Sequence, residues 1–78
     1  MTTSESIRKL IATVLDCGVD LVSPAKTFDE LGADSLDMQE LFLQVEYNFD
    51  VDVSNEDGAR IKTVGELIKF VKQEKGEP

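Results

Sequence analysis

Apolar positions recur at helical spacing in three stretches of the chain and lose that spacing between them. Ile7, Leu10, Ile11, Val14 and Leu15 fall at i, i+3, i+4, i+7 and i+8, one face of a helix over residues 3–17, and Thr2-Thr3-Ser4-Glu5 ahead of them reads as a capping box. Gly18 supplies a C′ residue beyond it. Residues 20–27, which include Pro24, carry no helical period, so the chain crosses in a long first loop that Val19, Leu21, Val22 and Phe28 tack to the core. A second helix spans residues 35–49. Projected at about 100° per residue from Leu36, Met38, Leu41, Phe42, Val45 and Phe49 fall between about 140° and 240°, a core stripe. The opposite face mixes Asp37, Glu40 and Gln44 with Leu36, Leu43 and Tyr47. A face that met only solvent would need none of those three apolar groups, so the mixture reads as an interaction surface; the alternative is that one or two of them fold back beneath the long loop.

Phe49-Asp50-Val51-Asp52-Val53 alternates with period two, but a lone strand leaves its backbone groups unpaired, so this segment reads as an extended connector. A cap-like Ser54-Asn55-Glu56-Asp57 opens a short third helix over residues 55–61; Gly58 inside it makes it the least stable element. Thr63-Val64-Gly65-Glu66 is a second good capping box. It starts a helix over residues 64–74, with Val64, Leu67, Ile68 and Val71 on one stripe and Phe70 beside it. Lys69, Lys72 and Lys75 suit its C-terminal end, and Gly76-Glu77-Pro78 reads as a frayed tail. The pattern is all-α, and 78 residues make one domain, 1–78.

Charge sharpens this picture. The chain carries 16 acidic and 8 basic residues for a net charge of -8, yet residues 27–59 hold no Lys or Arg and ten acids, a local charge of -10, which leaves +2 elsewhere. Such a balance argues against nucleic acid and anionic membranes as partners and for basic protein surfaces. A solubilising face is the bland reading; concentration of the acids around one serine favours docking. Cys17 is the only cysteine, so neither an internal disulfide nor a cysteine-rich zinc site is available, and a reducing cytoplasmic setting follows, with Cys17 as a small packing residue. No apolar run approaches the roughly 18 residues of a membrane span, and residues 1–6 lack the flank of a signal peptide.

That serine is Ser35, in Leu31-Gly32-Ala33-Asp34-Ser35-Leu36 at the start of the second helix. Asp34 or Ser35 can act as N-cap, Asp37 lies in the first turn where the dipole favours negative charge, and Gly32 permits a conformation or a close approach that a Cβ would obstruct. A hydroxyl there is well placed to carry a phosphoester facing free amides. It is poorly placed as a hydrolytic nucleophile, because the chain has no histidine for a Ser-His-Asp relay and no Ser-x-x-Lys spacing at Ser35. Asp50, Asp52, Ser54 and Glu56 echo a calcium loop, but position six is Asn55 rather than Gly and position twelve is Ile61 rather than Glu. We therefore expect no catalytic residue and no dedicated metal ligand.

With Leu31-Gly32-Ala33-Asp34-Ser35-Leu36-Asp37, Glu40-Leu41, Glu46, Phe49-Asp50 and Ile61-x-Thr63-Val64, nearly the whole chain resembles the acyl carrier proteins. The resemblance implies a small antiparallel four-helix bundle, three longer helices and one short, with a long first loop. It implies that Ser35 is converted to a 4′-phosphopantetheine phosphodiester by a phosphopantetheinyl transferase using coenzyme A and magnesium. The protein would then be a monomeric shuttle and not an enzyme, carrying acyl groups as thioesters to the acyl-transferring or acyl-activating enzymes of fatty-acid, lipid or polyketide synthesis. By the same matching, Asp34, Asp37, Glu40 and Glu46 meet basic patches on those enzymes, with Leu36 and Leu43 as apolar contacts and Tyr47 on the same face. Acyl cargo would fold back between the second and third helices, against Leu41, Val45 and Ile61. Tyr47 and Asn48 stand where many members carry acids, Ser54 where a proline is common, and the loop before Phe28 is short, which suggests a specialised carrier. Two rivals are a peptidyl or aminoacyl carrier, for which the acidity is unusual, and an acidic helical adaptor that is never modified.

Overall fold

The computed structural model describes residues 1–77 and consists of α1 (Thr3–Leu15), α2 (Ser35–Phe49), α3 (Asn55–Arg60) and α4 (Val64–Glu74), with one turn of 3₁₀ helix at Val19–Leu21 in the first loop. α1 packs against both α2 and α4 to make a small helical bundle, and no strand forms among the described residues.

Each long helix begins with a reciprocal capping box: Thr2 with Glu5, Asp34 with Asp37, and Thr63 with Glu66. In each, the N-cap oxygen accepts the backbone N–H three residues on, and the carboxylate there accepts the N-cap N–H, so two of the four orphan amides are satisfied. Thr27 and Glu30 make the same pair in the first loop. Hydrogen bonds hold three of these glutamates below the ordinary carboxylate range: chiefly the Thr2 hydroxyl at Glu5, the Thr27 N–H at Glu30, and the Lys62 and Thr63 N–H groups at Glu66.

The helix ends correct two expectations. α1 stops at Leu15 because Asp16 takes the left-handed conformation (φ 54°), donating its N–H to Thr13 O while Cys17 N–H bonds Ala12 O, so Gly18 is not the terminating residue. A short polar side chain tolerates that backbone where a branched one would not. The tail after α4 is not frayed through residue 77. Gly76 (φ 73°) and Glu77 close a Schellman turn on Gln73 O and Lys72 O, and the Thr3 hydroxyl donates at 2.7 Å to the Glu77 carboxylate, tying the end of the chain to α1. Pro78 lies outside the described residues. α3 ends one residue earlier than its pattern suggested, at Arg60.

Ile7 and Ile11 of α1, Leu41 and Val45 of α2, and Val64, Leu67 and Val71 of α4 are fully buried, joined by Val22 and Phe28 from the first loop. Val19 and Leu21, expected to tack that loop down, are exposed instead. The loop is held by its backbone: Arg8 Nε donates to Val22 O at 2.7 Å and Arg8 Nη2 to Val19 O at 3.2 Å. Main-chain bonds from Phe28 N to Lys62 O, Val64 N to Lys26 O and Gly65 N to Pro24 O then lay it along the α3–α4 junction. α3 contributes no buried residue. In the connector, Val51 is buried and Val53 half-buried.

Candidate functional site

Asp34, not Ser35, is the N-cap of α2, and Ser35 is its first helical residue. Gly32 (φ 80°) turns the chain into the cap, and a Cβ on it would meet nothing, so the glycine is required by conformation and not by a close approach. Asp34 Oδ1 accepts Asp37 N–H at 2.8 Å and Asp37 Oδ2 accepts Asp34 N–H at 3.2 Å. Both carboxylates are thus engaged by the backbone, and the N–H groups of Ser35 and Leu36 are left without an acceptor inside the helix. The Ser35 side chain is exposed.

Ser35 stands at one end of an open groove of about 930 Å³ between α2 and α3, with Met38 and Phe42 on one bank and Val53, Gly58 and Ala59 on the other. At Gly58 a Cβ would come within 3.1 Å of the Phe42 ring, so this glycine lets the α3 backbone rest directly on Phe42. Met38, Phe42 and Gly58 also line a smaller space of about 340 Å³ that reaches Phe28, Ile61 and Lys62. The groove corrects the expected lining: Leu41 and Val45 are sealed in the core, and of the residues named for the fold-back only Ile61 borders open space. Met38 and Phe42 were legible only as members of the core stripe, although their place at its α3-facing edge was the available signal. A flexible arm on Ser35 has an unobstructed hydroxyl, an apolar-walled groove beside it and two free amides at its base, so the residues present fit a covalent phosphodiester-linked group.

The face of α2 away from the core carries Leu36 (73% exposed), Leu43 (61%) and Tyr47 (86%), so none of the three folds back beneath the loop. Asp34 and Glu40 are exposed beside them and Asp37 is half-buried. Glu46 behaves differently. Its Oε2 accepts the Val53 N–H at 2.8 Å, which pins the connector and through it the start of α3 to α2. Nothing in the sequence pattern marked that role. Among the described residues no three His, Cys, Asp or Glu side chains come together as a metal site, and no helix is long and apolar enough to cross a membrane.

Residues 5–71 match the family model described as the phosphopantetheine attachment site. The chain is 40% identical to an acyl carrier protein of Solidesulfovibrio magneticus over 78 residues, covering 99% of this chain and all of that one. It is 37% identical over 73 residues to an acyl carrier protein of Phenylobacterium zucineum, covering 92% of each.

Proposed function

Because the chain belongs to the acyl carrier protein family and carries that family's covalent 4′-phosphopantetheine group, we propose that Ser35 is the attachment residue and that the protein delivers acyl groups from it to successive biosynthetic enzymes without catalysing a step itself. The supporting observation is a contrast among five serines. Ser4, Ser6 and Ser23 are half-buried; Ser54 is exposed, but its hydroxyl caps α3, accepting the Asp57 N–H and donating to the Asp57 carboxylate. Ser35 alone offers an exposed hydroxyl at the start of a long helix, beside an open groove.

The group supplies a terminal thiol on which an acyl chain is held as a thioester. The protein's own part is positioning. Asp34 and Asp37 lock the first turn so that the anchor projects at a fixed angle, and the free amides of Ser35 and Leu36 favour negative charge on it. Met38 and Phe42 give apolar cargo a wall to lie against. Asp34, Asp37 and Glu40, with Leu36 and Leu43, form the surface that meets basic patches on the phosphopantetheinyl transferase and the acyl-transferring or acyl-activating enzymes. Charge-guided docking of this kind gives fast encounter without tight retention, which suits a shuttle that must leave each enzyme. The single free cysteine and the absence of a long apolar helix among the described residues fit work in the cytoplasm.

Incubation with coenzyme A, magnesium and a broad-specificity transferase, followed by intact-mass measurement, tests the assignment. The parent should gain the mass of one phosphopantetheine and Ser35→Ala should gain none. A gain retained in the variant would move the anchor elsewhere.

A further inference from the structure

α3 hangs between two hydrogen bonds. At its head Glu46 Oε2 accepts the Val53 N–H at 2.8 Å, one residue before the Ser54 cap; beyond its tail Lys62 O accepts the Phe28 N–H at 3.1 Å. Between these, among the described residues, the side-chain bonds of residues 54–60 stay within the segment: Ser54 with Asp57, and Arg60 with Glu56 at 3.8 Å. None of the seven residues is buried, and Gly58 against the Phe42 ring is their close contact with α2. So short a helix with no buried side chain has little stability of its own, and its two ends decide where it lies. The tail bond joins main chain to main chain. The head bond depends on one side chain.

That bond belongs to the groove. Glu46 and Val53 both line it, and Glu46 stands about 16 Å along α2 from Ser35, at the end where the tail of a cargo would lie. Resting on the carrier reading above, we propose that Glu46 is a positioning residue for the cargo: through the Val53 N–H it holds the head of α3 against α2 and keeps the far end of the groove closed around a medium-length acyl tail. The role calls for a hydrogen-bond acceptor at this position and not for a charge, which separates it from docking, where a neutral amide is no substitute for a carboxylate. With the bond cut, nothing but the Gly58–Phe42 contact restrains the head, and α3 swings on its tail bond at Lys62. The half-buried Glu46 engages Val53 with one oxygen, so a substituted side chain needs to supply that acceptor alone.

The test compares the parent with Glu46→Ala and Glu46→Gln. Glu, Gln and Ala are all good helix formers, and both variants remove the same charge from the block of -10, so a difference between them reports the bond alone. On the unloaded chain, amide hydrogen exchange over residues 53–60 should be about tenfold faster in Glu46→Ala, with α1 and α4 exchanging as in the parent. Glu46→Gln, whose amide oxygen still accepts the Val53 N–H, should stay within about threefold of the parent. Chains loaded with octanoyl or acetyl arms are then treated with hydroxylamine. Cleavage of the octanoyl thioester should be about fivefold faster in Glu46→Ala and close to the parent in Glu46→Gln, since local opening exposes what the groove holds. Acetyl cleavage should be the same in all three, because an acetyl group has no tail to hold. Equal exchange in all three chains, an equal loss in both variants, a loss shared by α1 and α4, or octanoyl cleavage that does not respond to Glu46→Ala overturns the proposal and leaves the carrier reading intact. Failure of the parent to load overturns the reading beneath it, and exchange on the unmodified chain still judges the Glu46 bond.

Discussion

Between α1 and α4 the packing is closed, and between α2 and α3 it is open. Ile7, Ile11, Leu67 and Val71 are wholly removed from solvent, and even the chain end is fastened across that side by Thr3 and Glu77. Across the molecule, α3 is six residues long, buries nothing, and reaches α2 through a glycine resting on a half-buried phenylalanine and a single carboxylate–amide bond from Glu46. The contrast shows how so small a chain divides its work. One half holds the fold, and the other stays loose enough to present an anchor, shelter a cargo and meet many surfaces.

The sharpest way to break this contrast is to truncate one apolar side chain on each side. Leu67→Ala should lower the free energy of unfolding by about 3 kcal/mol, as for fully buried leucines, and Phe42→Ala by clearly less, both read by chemical denaturation. Equal losses would mean that the groove side is core after all.

Next in size are the caps. Thr63→Ala should cost about 1 kcal/mol, since it leaves the Glu66 N–H without its acceptor. Acid then sharpens the distinction. The hydrogen bonds that lower Glu5 and Glu66 act on the charged form, so their stabilisation is complete above the ordinary glutamate value and is lost as pH falls through the lowered folded value. Glu66→Gln should therefore be less stable than the parent at neutral pH and lose less on acidification. Because the repulsion within the acidic block is common to both proteins, a parallel pair of stability curves would contradict the assignment.

Gly58→Ala bears on the open side. Alanine is the better helix former by about 1 kcal/mol, and the Phe42 ring it would press has groove space to move into, so α3 should gain up to that amount and its amides should exchange more slowly. Faster exchange would mean that Phe42 cannot yield. The smallest effect is ionic. Salt should raise the melting temperature modestly by screening the ten acids of residues 27–59, and a flat response would remove self-repulsion as a cause of the loose edge.

Periodicity and caps carried the fold. α2 and α4 fall where the 3.6-residue pattern of Leu41, Val45, Val64 and Leu67 put them, and the boxes at Thr2 and Thr63 mark two of the starts, while the structure decides for Asp34 over Ser35 at the third. What pattern could not carry were contacts without a period. Arg8 on two loop carbonyls, the main-chain bonds from residues 24–28 to the head of α4, and Thr3 on Glu77 join positions far apart in sequence, and no run of residue types announces them. At the site, a capping acid, one serine and a glycine within four residues singled out Ser35 as the candidate, and the projection of α2 placed Leu36, Leu43 and Tyr47 outside. Glu46 was read only as a docking acid; its contact with the connector was not legible, because only the fold brings Val53 N–H within reach of its Oε2.

The central claim, that residue 35 bears the arm, is tested most directly by fragmenting the protein isolated from its own cells and locating the phosphopantetheine mass along the sequence. The increment should fall on Ser35 and on no other residue; an increment on Ser4, Ser6, Ser23 or Ser54, or an unmodified chain throughout, would contradict it.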